Sequence, residues 1–110
     1  MIKKALGEFE EVVLLIVAIL NGHAYSVNII KEIEGRLNRN VSLGAIQTVL
    51  KRLEAKGLLR SDFGEATKVR GGKRKRLYEI TALGQQVLDE TRAQRNSLWD
   101  AIPSLSFNLS

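Results

Sequence analysis

Apolar residues crowd the start of the chain at a spacing that closes every side of a helix. Phe9, Val12, Val13, Ile16 and Leu20 recur at helical intervals, and Leu14, Leu15, Val17 and Ile19 fill the remaining sides. The pattern predicts a helix from about Gly7 to Leu20; the Val and Ile content also fits a buried strand, and the length of the segment favours helix. A helix apolar all round has to be covered all round, and in a small domain that cover implies a second copy of the chain. Asn21-Gly22 is a stop and turn signal. A second, amphipathic helix follows from about Tyr25 to Leu37, with Val27, Ile30, Ile33 and Leu37 as its apolar stripe and Lys31, Glu32 and Arg36 elsewhere on its surface. Asn38-Arg39-Asn40 reads as a short polar turn.

Ser42 is a good N-cap for a third helix running to about Lys56, because its hydroxyl can accept from the free amides of the first turn. Leu43, Ile46, Val49, Leu50 and Leu53 fall within about 60° of one direction, and Gly44, Thr48, Lys51 and Ala55 point the opposite way, flanked by Gln47 and Arg52. Gly57 suits the position just past a helix end. Two short helices across a tight turn, the second with a polar outer face, make a helix-turn-helix pattern. Leu58 to Phe63 then reads as a short strand and Arg76 to Ile80 as another, with Tyr78 and Ile80 alternating against Arg76 and Glu79. Between them runs a glycine-punctuated basic loop, so the hairpin reads as a wing. Thr81 caps a last helix from about Ala82 to Ile102, whose stripe of Leu83, Val87, Leu98, Trp99 and Ile102 is broken by Thr91 and Gln94 before Pro103 ends it. No internal repeat or linker interrupts the chain.

Charge sharpens this picture. From Lys51 to Arg76, ten Lys or Arg stand against three acids, so this segment carries +7 and the rest of the chain −2 of the total of +5. Positive charge gathered in one region points to a polyanionic partner at that region, although a charge run alone reads equally as a solvated loop. At 110 residues there is room for one core and no separate catalytic domain. The absence of cysteine excludes disulfides, thiolate chemistry and sulfur-ligated zinc, and it fits a cytoplasmic, nucleoid-associated protein. The longest apolar run, the nine residues Val12 to Leu20, is short of the roughly 20 that span a bilayer. Lys3 and Lys4 precede it, but Glu8, Glu10 and Glu11 intervene and no small-residue cleavage site follows, so it reads as mature, buried protein without membrane contact.

Four stretches resemble the PadR family of winged-helix transcriptional regulators: Leu6-Gly-Glu-Phe-Glu, His23-Ala-Tyr-Ser, the run from Val41 to Leu58, and the run from Arg70 to Gly84. The likeness covers roughly Leu6 to Trp99. It implies a mainly α fold with a small β-hairpin, a winged helix-turn-helix over residues 1–81, and a C-terminal dimerisation helix and short tail over 82–110, all in one structural domain. It also implies a short form of the family, in which the first and last helices pair two copies. Members of the family usually have Tyr where this chain has Gln47, which implies a different DNA contact there. Some short members bind flat aromatic compounds in a tryptophan-lined pore at the dimer centre. That makes Trp99 the candidate for a planar aromatic effector, against the plainer reading that it packs the dimer core.

The residues themselves suggest how DNA would be held. Gln47 matches a bidentate contact to adenine, Lys51 or Arg52 to guanine or phosphate, and Thr48 to a base or a thymine methyl. Gly44 and Ala45 are small enough to let the backbone approach, and Ser42 with the neighbouring amides would bind a phosphate. Lys68, Arg70, Lys73, Arg74, Lys75 and Arg76 on the wing would add phosphate contacts, two or three of them at a time, or place an arginine in the minor groove. A twofold pair of such helices calls for a palindromic operator. Catalysis is not expected: His23 is the only histidine, no metal-ligand spacing surrounds it, and the acids form no convincing pair. No cofactor or metal is expected either. The rival is a winged-helix module that docks protein or RNA, which the polar, basic surface argues against.

Overall fold

The protein is described from a computed structural model over residues 6–63 and 75–104. Helix α1 spans Glu8–Ile19, and the amide of Gly7 donates to Glu10 Oε1 across its first turn at 2.9 Å. Glu8, Glu10 and Glu11 in that turn sit at the positive end of the helix dipole. After Gly22, which takes φ 86°, helix α2 spans Ser26–Leu37 and ends on Asn38 in the left-handed region. Asparagine is one of the few side chains that visits that region at low cost. Helix α3 spans Leu43–Ala55; Ser42 Oγ accepts from the Ala45 amide at 3.1 Å, and Gly57, at φ 78°, turns the chain out of the helix.

Strands β1 (Leu59–Phe63) and β2 (Arg76–Ile80) pair antiparallel, with Leu59 opposite Ile80 and Phe63 opposite Arg76. The Tyr78 amide donates to the Ala24 carbonyl at 3.0 Å, which fastens the hairpin to the connection between α1 and α2. Helix α4 spans Ala82–Ala101. Thr81 joins its start to the end of α3: its hydroxyl accepts from the Gly84 amide and donates to the Gly57 carbonyl, while its own amide donates to Leu58 O. Gly84 packs so tightly there that a Cβ on it would collide with the Leu58 carbonyl oxygen.

The core is aliphatic apart from Tyr78. Val13, Leu14 and Val17 of α1, Ile29 and Ile33 of α2, and Ile46, Leu50 and Leu53 of α3 close it, with Leu58, Leu59 and Tyr78 of the hairpin region and Val87 and Leu88 of α4 below. The apolar stripe of α2 differs from the sequence expectation. Ile29 is fully buried while Val27 is 50% exposed, because at 100° per residue Val27 stands about 120° round from Ile33. Leu37 lies on the inner side but in the last turn, past the core, and Leu43 at the first position of α3 is likewise exposed. Leu15 and Ile19 of α1 face solvent, as do Leu98 and Trp99 of α4 and Ile102, which follows its last residue. Among the described residues no helix is long and apolar enough to cross a membrane.

Candidate nucleic-acid interface

The core grips α3 by one side only. Ile46, Val49, Leu50 and Leu53 are buried, whereas Ser42, Gly44, Ala45, Gln47, Thr48, Lys51 and Arg52 are all exposed, as the periodicity predicts. Among the described residues, Gln47, Lys51 and Arg52 carry no hydrogen bond or ion pair through their side chains, so their donors face open solvent. Thr48 is different: its hydroxyl donates to the Gly44 carbonyl one turn back at 2.9 Å. What it presents outward is therefore a methyl group and oxygen lone pairs. Space in front of Gly44 is open, with nothing within 4 Å of where a Cβ would stand. The Ser42 cap occupies the Ala45 amide, which leaves the amides of Leu43 and Gly44 without an intrahelical acceptor.

At the other end of α3, Lys56 Nζ reaches Glu10 Oε2 at 2.8 Å. Glu10 is 7% exposed. Burial pushes its carboxyl pKa up, but the Lys56 hydrogen bond, the Gly7 amide and the charges of Lys56 and Arg52 outweigh that and hold it below its ordinary value. The same first turn of α1 holds two further cations: Glu8 takes both oxygens to Arg39, in the turn between α2 and α3, and Glu11 does the same to Arg95 of α4.

On the hairpin, Arg76 stacks 4.2 Å from the centre of the Phe63 ring and donates to Ser61 Oγ at 2.8 Å, whose hydroxyl donates in turn to Glu54 of α3. Arg76 thus lies along its own hairpin, tied to the helix beside it. Lys75 is exposed, its ammonium 6.0 Å from the Tyr25 ring. Lys68, Arg70, Lys73 and Arg74 lie outside the described residues. Beneath the stack Tyr78 is buried, and burial raises its hydroxyl pKa, with Arg76 pulling down and Glu54 pushing up.

Away from this face, α1 and α4 border an open groove of about 540 Å³. Leu15 and Ala18 line one wall; Leu88, Arg92, Asn96 and Trp99 line the other, and Trp99 is 72% exposed. Sequence reading missed two features of these surfaces. The Arg76 stack was signalled by Phe63, an outward aromatic at the end of β1. The Glu10–Lys56 pair was signalled only at one end, by a glutamate three residues inside the helix cap.

A helix-turn-helix, a two-stranded wing and a closing helix define a winged helix-turn-helix protein. The model of the transcriptional regulator PadR-like family matches residues 14–90, and the chain belongs to that family. Among solved structures it is similar to a PadR-like transcription factor from Bacteroides fragilis, with 26% identity, 84% of each chain covered and a TM-score of 0.70. A PadR family regulator from Clostridium difficile is 27% identical over 81% of this chain and 91% of that one, with a TM-score of 0.61. One from Eggerthella lenta is 26% identical, covering 84% and 80%, at 0.65. A search of curated proteins returns no match.

Proposed function

We propose that this protein is a sequence-specific regulator that binds double-stranded DNA as a homodimer and represses transcription by occupying a palindromic operator. The observation that carries the reading is the outer face of α3, where Gln47, Lys51 and Arg52 are exposed and, among the described residues, without a side-chain hydrogen bond or ion pair, beside a cationic hairpin. An α-helix fits the major groove, where each base pair has its own pattern of donors and acceptors. In this reading Gln47 reads a base, Thr48 offers its methyl to thymine, and Lys51 and Arg52 reach guanine or phosphate. Ser42, Gly44 and Ala45 bring the helix start against the backbone. Lys68, Arg70, Lys73, Arg74 and Lys75 supply phosphate contacts from the wing, and Arg76, stacked on Phe63, braces it. Residues 1–81 hold DNA and 82–110 join the two copies. The groove beside Trp99 is where a planar aromatic effector would enter and relieve repression.

Selection of bound DNA from a random pool at fixed salt tests this. The expected product is a twofold-symmetric sequence, and binding to it should fall roughly 1,000-fold between 50 and 200 mM salt for about six phosphate contacts per dimer. Recovery of no sequence preference, or a flat salt titration, would overturn the reading.

A further inference from the structure

Among the described residues Glu10 is the one buried charged side chain, and its position is telling. It lies between α1 and the last turn of α3, with one carboxylate oxygen on the Gly7 amide and the other on Lys56. An ion pair with one member buried and the other, Lys56, 30% exposed is a poor way to gain stability, since burying the carboxylate costs much of what the pairing returns. What such a pair does supply is direction: a short charged hydrogen bond fixes where its partner stands, which apolar contact does not. Lys56 is the C-cap of α3, one turn beyond Arg52, and the Glu10 charge also acts on Arg52.

A positioning group needs anchors of its own. The first turn of α1 has three. Besides the Gly7 amide on Glu10, Arg39 holds Glu8 from the turn before α3, and Arg95 holds Glu11 from α4. The arginine before α3 and the lysine that ends it therefore both close on one helical turn.

We propose that Glu10, through Lys56, is a positioning residue that sets the rotation of α3 and the stance of Arg52, and so governs how well the protein tells its operator from other DNA. This rests on the reading of α3 as the DNA-contacting helix. Glu10 itself touches no DNA in this scheme.

The test compares the full chain with two variants, the Glu10→Met/Lys56→Met pair and Lys56→Arg. Each is measured for affinity to the selected operator and to an unrelated duplex at one salt concentration, and, without DNA, for amide hydrogen exchange over residues 52–58. The apolar pair should melt near the parent temperature, exchange several-fold faster in the last turn of α3, and lose about tenfold in operator affinity, the loss of one base contact. Unrelated DNA should be affected about threefold or less, because the exchange removes one cation and one anion together and leaves the net charge unchanged. Lys56→Arg, which keeps a charged partner for Glu10, should retain both the exchange protection and the discrimination of the parent. A parallel loss for both duplexes would make Lys56 a plain phosphate contact and overturn the proposal; unchanged discrimination would overturn it too. If the apolar pair does not fold, Glu10→Gln takes its place with the same expected losses. If the parent protein binds no duplex at all, the proposed function fails, and the exchange measurement alone decides: protection of residues 52–58 that is indifferent to Glu10 removes the positioning role.

Discussion

Gly84 sits where no other side chain fits. It lies in the first turn of α4 against the backbone of Leu58, beside the Thr81 hydroxyl that bridges α3 to α4, and a methyl group there would meet the Leu58 carbonyl oxygen, which accepts from the Thr81 amide. Backbone cannot rotate aside as a side chain end can, so the relief has to come from tilting α4. Gly84→Ala should therefore destabilise the protein by about 1–3 kcal/mol, the usual cost of overpacking. Gly35 supplies the contrast. It lies within α2 with open space where a Cβ would stand, and Gly35→Ala should stabilise by roughly 0.5–1 kcal/mol through helix propensity alone. Thermal melts of the two variants check both signs. Equal effects would mean that the packing of Gly84 has been misjudged.

Elements were more legible than the faces they present. Caps and breakers mark the ends of helices locally, and Ser42, Gly57, Thr81 and Asn21-Gly22 place those ends within a residue or two. Faces depend on what lies across the core. In α2 the sequence offers two apolar arcs, one through Val27 and one through Ile29, and only contact with α1 and α3 selects the second. The outer face of α3 was readable because its apolar and polar residues separate cleanly on opposite sides. The Arg76–Ser61–Glu54 chain was not, since it joins three elements. At this scale the proposed roles separate by experiment. Gln47→Ala should relax base preference at one operator position, costing about 1–3 kcal/mol against the best base. Lys73→Ala with Arg74→Ala should weaken binding to every sequence about equally and lower the salt slope by about four, since each of two wings loses two cations. A wing pair that shifts sequence preference and spares overall affinity would reverse these assignments.

Seen as a whole molecule, the chain leaves one stripe unfinished. Gly84, Val87 and Leu88 face the core from the first half of α4, and at 100° per residue the same side continues through Arg95, Leu98 and Ile102, with Trp99 at its edge. Past Thr91 every residue of the helix is exposed, because the body of the domain has ended beneath it. Leu98 is 69% exposed in the single chain, and Leu15 and Ile19 of α1 are exposed as well. So many large apolar side chains on two helices are rarely all left to water. We assign them to the proposed contact between two copies, which would also close the groove over Trp99 from its open side. Leu98→Glu should then convert the protein from two chains to one in sedimentation. It should also lower operator affinity roughly 100-fold, since each half-site would have to be held alone. Affinity for an isolated half-site should stay near that of the parent chain. A Leu98→Glu protein that still sediments as two copies would place the contact on some other surface, and a parent that sediments as one would remove the twofold arrangement from the proposed mechanism.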